Sequence, residues 1–279
     1  MKTTNLFENN KEKWQGAALA APSALLIVIF FIYPFILSFI GSFYDRDGNF
    51  APDNYTFALD RYGKDLLYTI LISVVSVILL ILITAFIAGI FRLYAFPIME
   101  FIFKIPLFVP YVVVGHAVRV YLAPHGTLNS LLSFVGILDP DNMPSIAYSS
   151  LGLIFALVWK NLGMSLLIVL GAYRGVNDNT LEAARQFGAT NYQIIKDFLM
   201  PMSKGSFGVV AVLMFTSMIG SFSIPSMVGS GKYRMIMLDI HQQMIIQQNS
   251  GVANALGVFA YILSIGAAIY YLKGLKSND

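Results

Sequence analysis

Six apolar stretches, each almost free of charged residues, constrain this chain more than any other feature of its sequence. A transmembrane helix needs about 20 mostly apolar residues, and a transmembrane β-strand gives segments of about 10 residues with alternating polarity. The stretches are long and do not alternate, so they predict six membrane-spanning helices. They are Gln15–Tyr44, Leu66–Phe91, Ile105–Leu122, Ile146–Tyr173, Gly205–Val228 and Gly251–Leu272.

The composition supports an all-α integral membrane protein with one domain over residues 1–279. Hydrophobic residues make up 57% of the chain and charged residues only 12%, about half the charged share of an ordinary soluble domain. This excludes a soluble enzyme and a nucleic-acid binder that uses a basic patch. The chain has no cysteine, which excludes disulfides and thiolate metal sites.

The distribution of lysine and arginine predicts the orientation in the membrane. If the N-terminus is inside, eleven of the 18 basic residues fall in inner segments and five in outer loops. Inner segments carry the excess of basic residues, so both termini of this multi-pass protein are expected in the cytoplasm. The first outer loop fits this orientation because it is acidic, with Asp45, Asp47, Asp53, Asp60 and Asp65.

No catalytic site or metal site is predicted. The three histidines, His116, His125 and His241, are scattered and have no carboxylates at metal-ligand spacing. They also cannot form a nucleophile–base pair, which argues against a membrane enzyme. No phosphate-binding loop occurs, so the chain is not expected to hydrolyse ATP.

The segment 174–204, between the fourth and fifth stretches, has the pattern of two short helices rather than a loop. Asn179 is a suitable N-cap and Glu182 follows three residues later, as in a capping box. Gly188 is placed to end this first helix. Its apolar side is expected to comprise Leu181, Ala184 and Phe187.

A second helix is predicted directly after this turn. Thr190 and Gln193 match a capping box, and Pro201 is expected to stop the helix. The pair is amphipathic and too short to span a membrane. An amphipathic hairpin that lies on the membrane without a partner is the alternative interpretation.

The run Leu181–Ala189, with Glu182, Ala183 and Ala184 followed by Gly188 and later by Pro201, resembles the EAA loop of ABC importer permeases. The resemblance implies the type I importer permease fold, with the helix pair between transmembrane helices 4 and 5. It also implies that Glu182, Ala183, Ala184, Gly188, Thr190, Gln193 and Pro201 couple the permease to an ATPase.

The resemblance implies a location in a prokaryotic plasma (inner) membrane and several partners. A cytoplasmic ATP-binding-cassette ATPase dimer would bind ATP and Mg²⁺, so this chain would need no cofactor. A second permease subunit, expected to be a distinct related chain, would complete the path, and an extracytoplasmic binding protein would deliver the solute. No nucleic acid is expected as a partner.

Polar residues inside the predicted spans are candidates for the translocation path, because ionisable groups in a membrane are costly. Lys160 lies in the fourth stretch with Asn161 and Ser165, which are one helical turn apart, and Arg119 lies in the third. Ser221 and Ser223 lie just before Pro225, where the helix of the fifth stretch is expected to be interrupted. Contacts to backbone carbonyls or to the interface, and hydrogen bonds between helices, remain alternatives for these residues.

The solute stays open at this stage. Ser223–Pro225, Met227–Gly231 and Ala253–Gly257 are similar to permeases of the polyamine, phosphonate, thiosulfate and ferric-ion branch. That similarity favours a small charged solute, whereas a sugar-type permease is the alternative. A channel or secondary carrier is a third interpretation, but it would leave the helix pair unexplained and usually shows inverted repeats.

Overall fold

A computed structural model describes residues 4–139, 141–229 and 231–276. Within these residues the chain is helical and has no β-strand; Tyr44 and Phe50 form an isolated bridge in the loop after the first span. The α-helices of the described residues are α1 (Thr4–Ile27), α2 (Tyr33–Gly41), α3 (Asn54–Leu93), α4 (Pro97–Lys104), α5 (Tyr111–Leu122), α6 (Thr127–Phe134), α7 (Ser150–Arg174), α8 (Asp178–Gln186), α9 (Asn191–Gln193), α10 (Met200–Met202), α11 (Lys204–Ile219), α12 (Ile236–His241) and α13 (Ser250–Lys276).

Short segments of other helical types join some of these helices. Three π-helical segments are Val28–Ile32, Ile194–Leu199 and Gln242–Ile246, and a 3₁₀ turn covers Ile105–Leu107. The first π segment makes α1 and α2 continuous. The chain therefore enters the first predicted span at Trp14 and leaves it at Gly41.

Four described helices are long and apolar enough to cross a membrane: Trp14–Gly41, Asn54–Leu93, Ser150–Arg174 and Ser250–Tyr271. Two further candidates are bent pairs of helices. Pro97–Leu107 and Tyr111–Phe134 meet at 102°, and Asn191–Met202 and Lys204–Ile219 meet at 74°. The described chain thus has four candidate spans by length and composition, or up to six if each bent pair is one span.

The third and fifth predicted stretches are not continuous helices. The third breaks at Phe108–Pro110, because prolines at 106 and 110 remove backbone donors and restrict the preceding residue. The fifth ends at Ile219 with Gly220 as its C-cap, and turns follow through Pro225 instead of helix to Val228.

Helix α7 lies at the centre of the larger hydrophobic core and packs along α3. It begins where the side chain of Ser149 accepts a hydrogen bond from the N–H of Gly152. A smaller core joins the start of α3 to α12 and α13. In contrast, the apolar part of Trp14–Gly41 has no buried residue, so α1 and α2 pack on little of this chain.

Candidate functional site

Helix α8 is the first member of a helix pair that follows α7. Its N-cap is Asn177, whose side chain accepts a hydrogen bond from the N–H of Asn179 at 2.9 Å. The predicted N-cap at Asn179 is therefore wrong by two residues, and Glu182 is not part of a capping box. Both asparagines can cap, but the chain turns into the helix at the earlier one.

The turn after α8 depends on Gly188. Its φ is +85°, a left-handed conformation that side chains with a Cβ rarely adopt. The N–H of Gly188 donates to the carbonyl of Arg185 at 2.9 Å, and the N–H of Ala189 donates to Ala184 at 3.0 Å. These two bonds form a Schellman motif, which ends the helix in a fixed geometry.

The second member of the pair starts at once with the capping box predicted for Thr190. The N–H of Gln193 donates to Thr190 Oγ1 at 3.3 Å, and the N–H of Thr190 donates to Gln193 Oε1 at 2.8 Å. Only the turn residues Gly188 and Ala189 separate the two caps. Pro201 does not stop this helix, which continues through it to Met202 and bends at Ser203.

The helix pair is packed onto α3 through its second member. Ile194, Ile195 and Leu199 are buried there. A Cβ on Gly89 of α3 would lie 2.6 Å from the side chain of Ile195, so glycine is required for this close approach. The ring of Tyr192 also stacks on Phe86 of α3, with centroids 5.9 Å apart.

Arg92 fixes the start of the pair, a role that sequence analysis missed. It lies near the end of α3, donates to the carbonyls of Tyr173 and Val176 at 2.9 Å each, and forms an ion pair with Asp178. These contacts join α3, the end of α7 and the start of α8. No local sequence signal links residues so far apart.

One face of α8 remains open, and we call it the docking face: Glu182, Ala183, Arg185, Gln186 and Phe187. Phe187 is 93% exposed, so its predicted place on the packed side with Leu181 and Ala184 is wrong. Those two residues are buried, with 3% and 4% exposure, because they face the rest of the protein. The exposed ring of Phe187 therefore belongs to the same open face as Glu182 and Arg185.

Lys160 lies inside the fold and holds the break before α5. Its Nζ donates to the carbonyls of Pro106, Leu107 and Val109 at 2.9, 3.3 and 2.7 Å. It also lies 4.7 Å from the ring centroid of Tyr111. The side chain is buried, and its charge is directed at the carbonyls that the broken helix leaves unpaired.

The other predicted path residues lie in two places. Asn161 and Ser165 are buried on α7, where Asn161 donates to Leu157 at 2.8 Å. Asn161 also accepts a long hydrogen bond from Ser217 of α11, at 3.5 Å. Ser221 and Ser223 follow α11, and only Ser221 is buried.

Arg119 lies apart from this group, on the exposed side of α5. Its Nε donates to the hydroxyl of Tyr148 at 3.0 Å, and its guanidinium lies over the same ring. The structure therefore groups Asn161 with α11 but leaves Arg119 separate. In the described part of the chain, no three His, Asp or Glu side chains cluster closely enough to hold a metal ion.

The described residues thus combine four to six candidate membrane spans with an exposed helix pair. The chain belongs to the family of binding-protein-dependent transport system inner membrane components, whose model matches residues 77–273. This family supplies the membrane permease of ABC importers and is not itself catalytic. The chain is accordingly the permease subunit of such an importer, which implies an ATPase and a binding protein as partners.

Curated relatives transport different solutes. The chain is 24% identical to the osmoprotective compounds uptake permease protein GgtC of Synechocystis sp., over 92% of this chain and 98% of the relative. It is 23% identical to the spermidine/putrescine transport system permease protein PotB of Haemophilus influenzae, over 88% and 89%. The relatives agree on the class of protein but not on the solute.

The solved structures agree on the fold. A bacterial ABC transporter involved in the import of the acidic polysaccharide alginate contains a chain that matches with a TM-score of 0.78. The match covers 98% of this chain and 99% of the other, at 19% identity. At that identity the likeness establishes the type of fold alone.

Proposed function

We propose that this chain forms one half of the translocation path of its importer and that the helix pair transmits the movement of the ATPase to the membrane helices. The observation that supports this most is the docking face, which is exposed although its helix is held firmly. Helix α8 is capped at both ends, and Arg92 joins its start to α3 and α7. A displacement of such a rigidly held helix would be transmitted to the membrane helices.

The docking face would enter a cleft of the cytoplasmic ATPase, with the ring of Phe187 as its apolar anchor. Glu182 would meet a basic side chain in that cleft. The ATPase would bind ATP and Mg²⁺ and perform all hydrolysis. Because the helix pair would lie at the cytoplasmic face, both termini would be cytoplasmic as well.

The remaining parts of the proposed importer are a second permease subunit and an extracytoplasmic binding protein. The second subunit would be a related but distinct chain. It would complete the path and cover apolar surface of this chain, whose first span is unburied. The solute would be small and charged, delivered by the binding protein; a sugar-type solute is the alternative.

The geometry of Lys160 bears on the charge of the solute. Three carbonyls surround its ammonium, so all three N–H donors are used and none is free to bind a passing anion. The proposed solute class therefore rests on the resemblance of residues 223–257 to the polyamine and phosphonate branch. Screening the co-purified binding protein against polyamines, phosphonates and sugars would decide between these classes.

Purification of the tagged chain from mild detergent tests the proposed assembly. We expect an ATPase and a second permease to accompany it, with ATPase activity in the eluate. Recovery of the chain alone, under conditions that keep known importers whole, would instead favour a channel or a secondary carrier.

Glu182→Lys tests the role of the docking face. Reversing the charge of a group that faces an oppositely charged partner should reduce solute uptake by about tenfold or more, while the protein still inserts in the membrane. Asp141→Lys, the same change in an exposed loop, is the matched control. Normal uptake by Glu182→Lys with normal ATPase recruitment would remove Glu182 from the proposed contact.

A further inference from the structure

A groove of about 850 Å³ runs between α3, α11 and α13, away from the helix pair's docking face. Most of its wall is apolar, with partly exposed side chains of the three helices. The apolar and small residues that line it are Val74, Val77, Ile78, Gly205, Gly208, Ala211, Val212, Phe215 and Ala267.

One end of the groove is basic and aromatic. Lys204, the first residue of α11, and Lys273, near the end of α13, both line it and are exposed. Tyr270 and Tyr271 lie beside Lys273. Lysine and tyrosine side chains concentrate where a membrane meets water, so this end of the groove marks the level of the lipid headgroups.

The shape of the groove does not suit a second helix. Close helix packing in membranes uses small residues, but the ring of Tyr271 already covers Gly208. A Cβ on Gly208 would lie 1.9 Å from that ring. The hydroxyl of Tyr271 also donates to the carbonyl of Gly205 at 2.7 Å, so the ring is fixed. What remains is an irregular apolar surface that flexible hydrocarbon chains can fill.

We propose that this groove binds an anionic phospholipid, with the acyl chains along α3, α11 and α13 and the phosphate between Lys204 and Lys273. The charge of the two lysines complements the phosphate, and the apolar wall complements the chains. Lys204 comes directly after the helix pair, so the lipid belongs to the leaflet on the ATPase side. That leaflet assignment rests on the proposed function, whereas lipid binding itself does not.

Lipid retention provides the test. The full chain, purified in mild detergent with any subunits that accompany it, is incubated with phosphatidylglycerol or phosphatidylcholine and measured by native mass spectrometry. We expect a preference for phosphatidylglycerol. Because both basic groups near the phosphate are removed, Lys204→Gln with Lys273→Gln should reduce that preference about tenfold or more. Lys232→Gln, at an exposed lysine elsewhere, should leave it unchanged.

A second variant tests the apolar wall. Ala211→Phe fills the groove but keeps both lysines, so it should lower the retention of both lipids. Equal preference for phosphatidylglycerol in the wild type and the double lysine variant would overturn the proposal. A photo-crosslinker at position 212 that couples to a second permease in the membrane, rather than to lipid, would overturn it as well. None of these measurements needs solute import, so they do not depend on the proposed transport activity.

Discussion

Lys160 shows how one residue can replace missing backbone hydrogen bonds. The break between α4 and α5 leaves carbonyls that water cannot satisfy in a membrane. The ammonium group reaches three of them from α7. An ionisable residue in a span is thus used to support an irregular backbone, and its burial follows from that use.

Gly188 is the residue on which the helix pair depends most directly. Valine at this position would be strained at a φ of +85°, at a cost of about 1–3 kcal/mol. We expect Gly188→Val to loosen the turn and to lower the amount of ATPase that co-purifies with the chain. Hydrogen exchange at the amides of 188 and 189 reports the loosening directly.

Gly171→Ala is the matched control for this turn. Gly171 lies in α7 with an ordinary φ and open space around it, so alanine should be tolerated there. Full recovery of the ATPase with Gly188→Val, together with unchanged exchange, would contradict the assignment of Gly188 to a required turn.

At the scale of elements, Arg92 makes the helix pair part of the membrane domain. Hydrogen bonds to a charged group contribute about 1.5–3 kcal/mol, and Arg92 makes two to carbonyls besides its ion pair. We expect Arg92→Gln to lower the free energy of local opening of residues 177–187 by about 2 kcal/mol. Their amide exchange would then be roughly thirty times faster.

Arg185→Gln provides a control because Arg185 is exposed on the docking face. It should leave exchange in 177–187 unchanged. If Arg92→Gln also leaves this exchange unchanged, then packing of the second member on α3 alone holds the pair, and the contacts of Arg92 are dispensable.

The elements also show what the sequence can and cannot predict. The turn at Gly188 and the capping box at Thr190 were predictable because both depend on neighbouring residues. The N-cap of α8 was not, because both Asn177 and Asn179 can cap a helix and the choice involves Arg92, 86 residues from its partner Asp178. The prolines at 106 and 110 were a local signal for the break in the third stretch, but the partner of its carbonyls was not predictable, because Lys160 lies more than 50 residues away.

Considered as a whole, the described chain has two cores of unequal size. The larger surrounds α7, on which Lys160, Asn161 and Ser165 are also buried. The smaller lies between the start of α3, α12 and α13, beside a set of buried polar groups. There the hydroxyl of Tyr62 accepts from the side chain of Gln243, and the N–H of Ile236 donates to Thr69 at 2.8 Å.

Asp239 is the acidic residue of this polar set, and we expect it to make the protein's stability depend on pH. It is fully buried, and both carboxylate oxygens lack a hydrogen bond. The guanidinium of Arg234 lies 3.1 Å from Oδ1 of Asp239, but the two groups are not aligned for a hydrogen bond. Burial raises the pKa of Asp239, nearby Asp65 adds to this rise and Arg234 opposes it, so the pKa is about 6.

The sign of the pH dependence follows from this raised pKa. Between about pH 4 and 6 the folded protein holds a proton that the unfolded chain has lost, so the free energy of unfolding falls as pH rises. Above pH 6 the cost of the buried charge is complete, at about 3 kcal/mol for a shift of this size. Asp239→Asn should therefore raise the apparent Tm at pH 7.5, with a gain that shrinks toward pH 4. Asp60→Asn, at an exposed carboxylate, should change the apparent Tm neither at pH 7.5 nor near pH 4. Equal pH profiles of Tm for Asp239→Asn and the wild type would contradict the role of this buried charge.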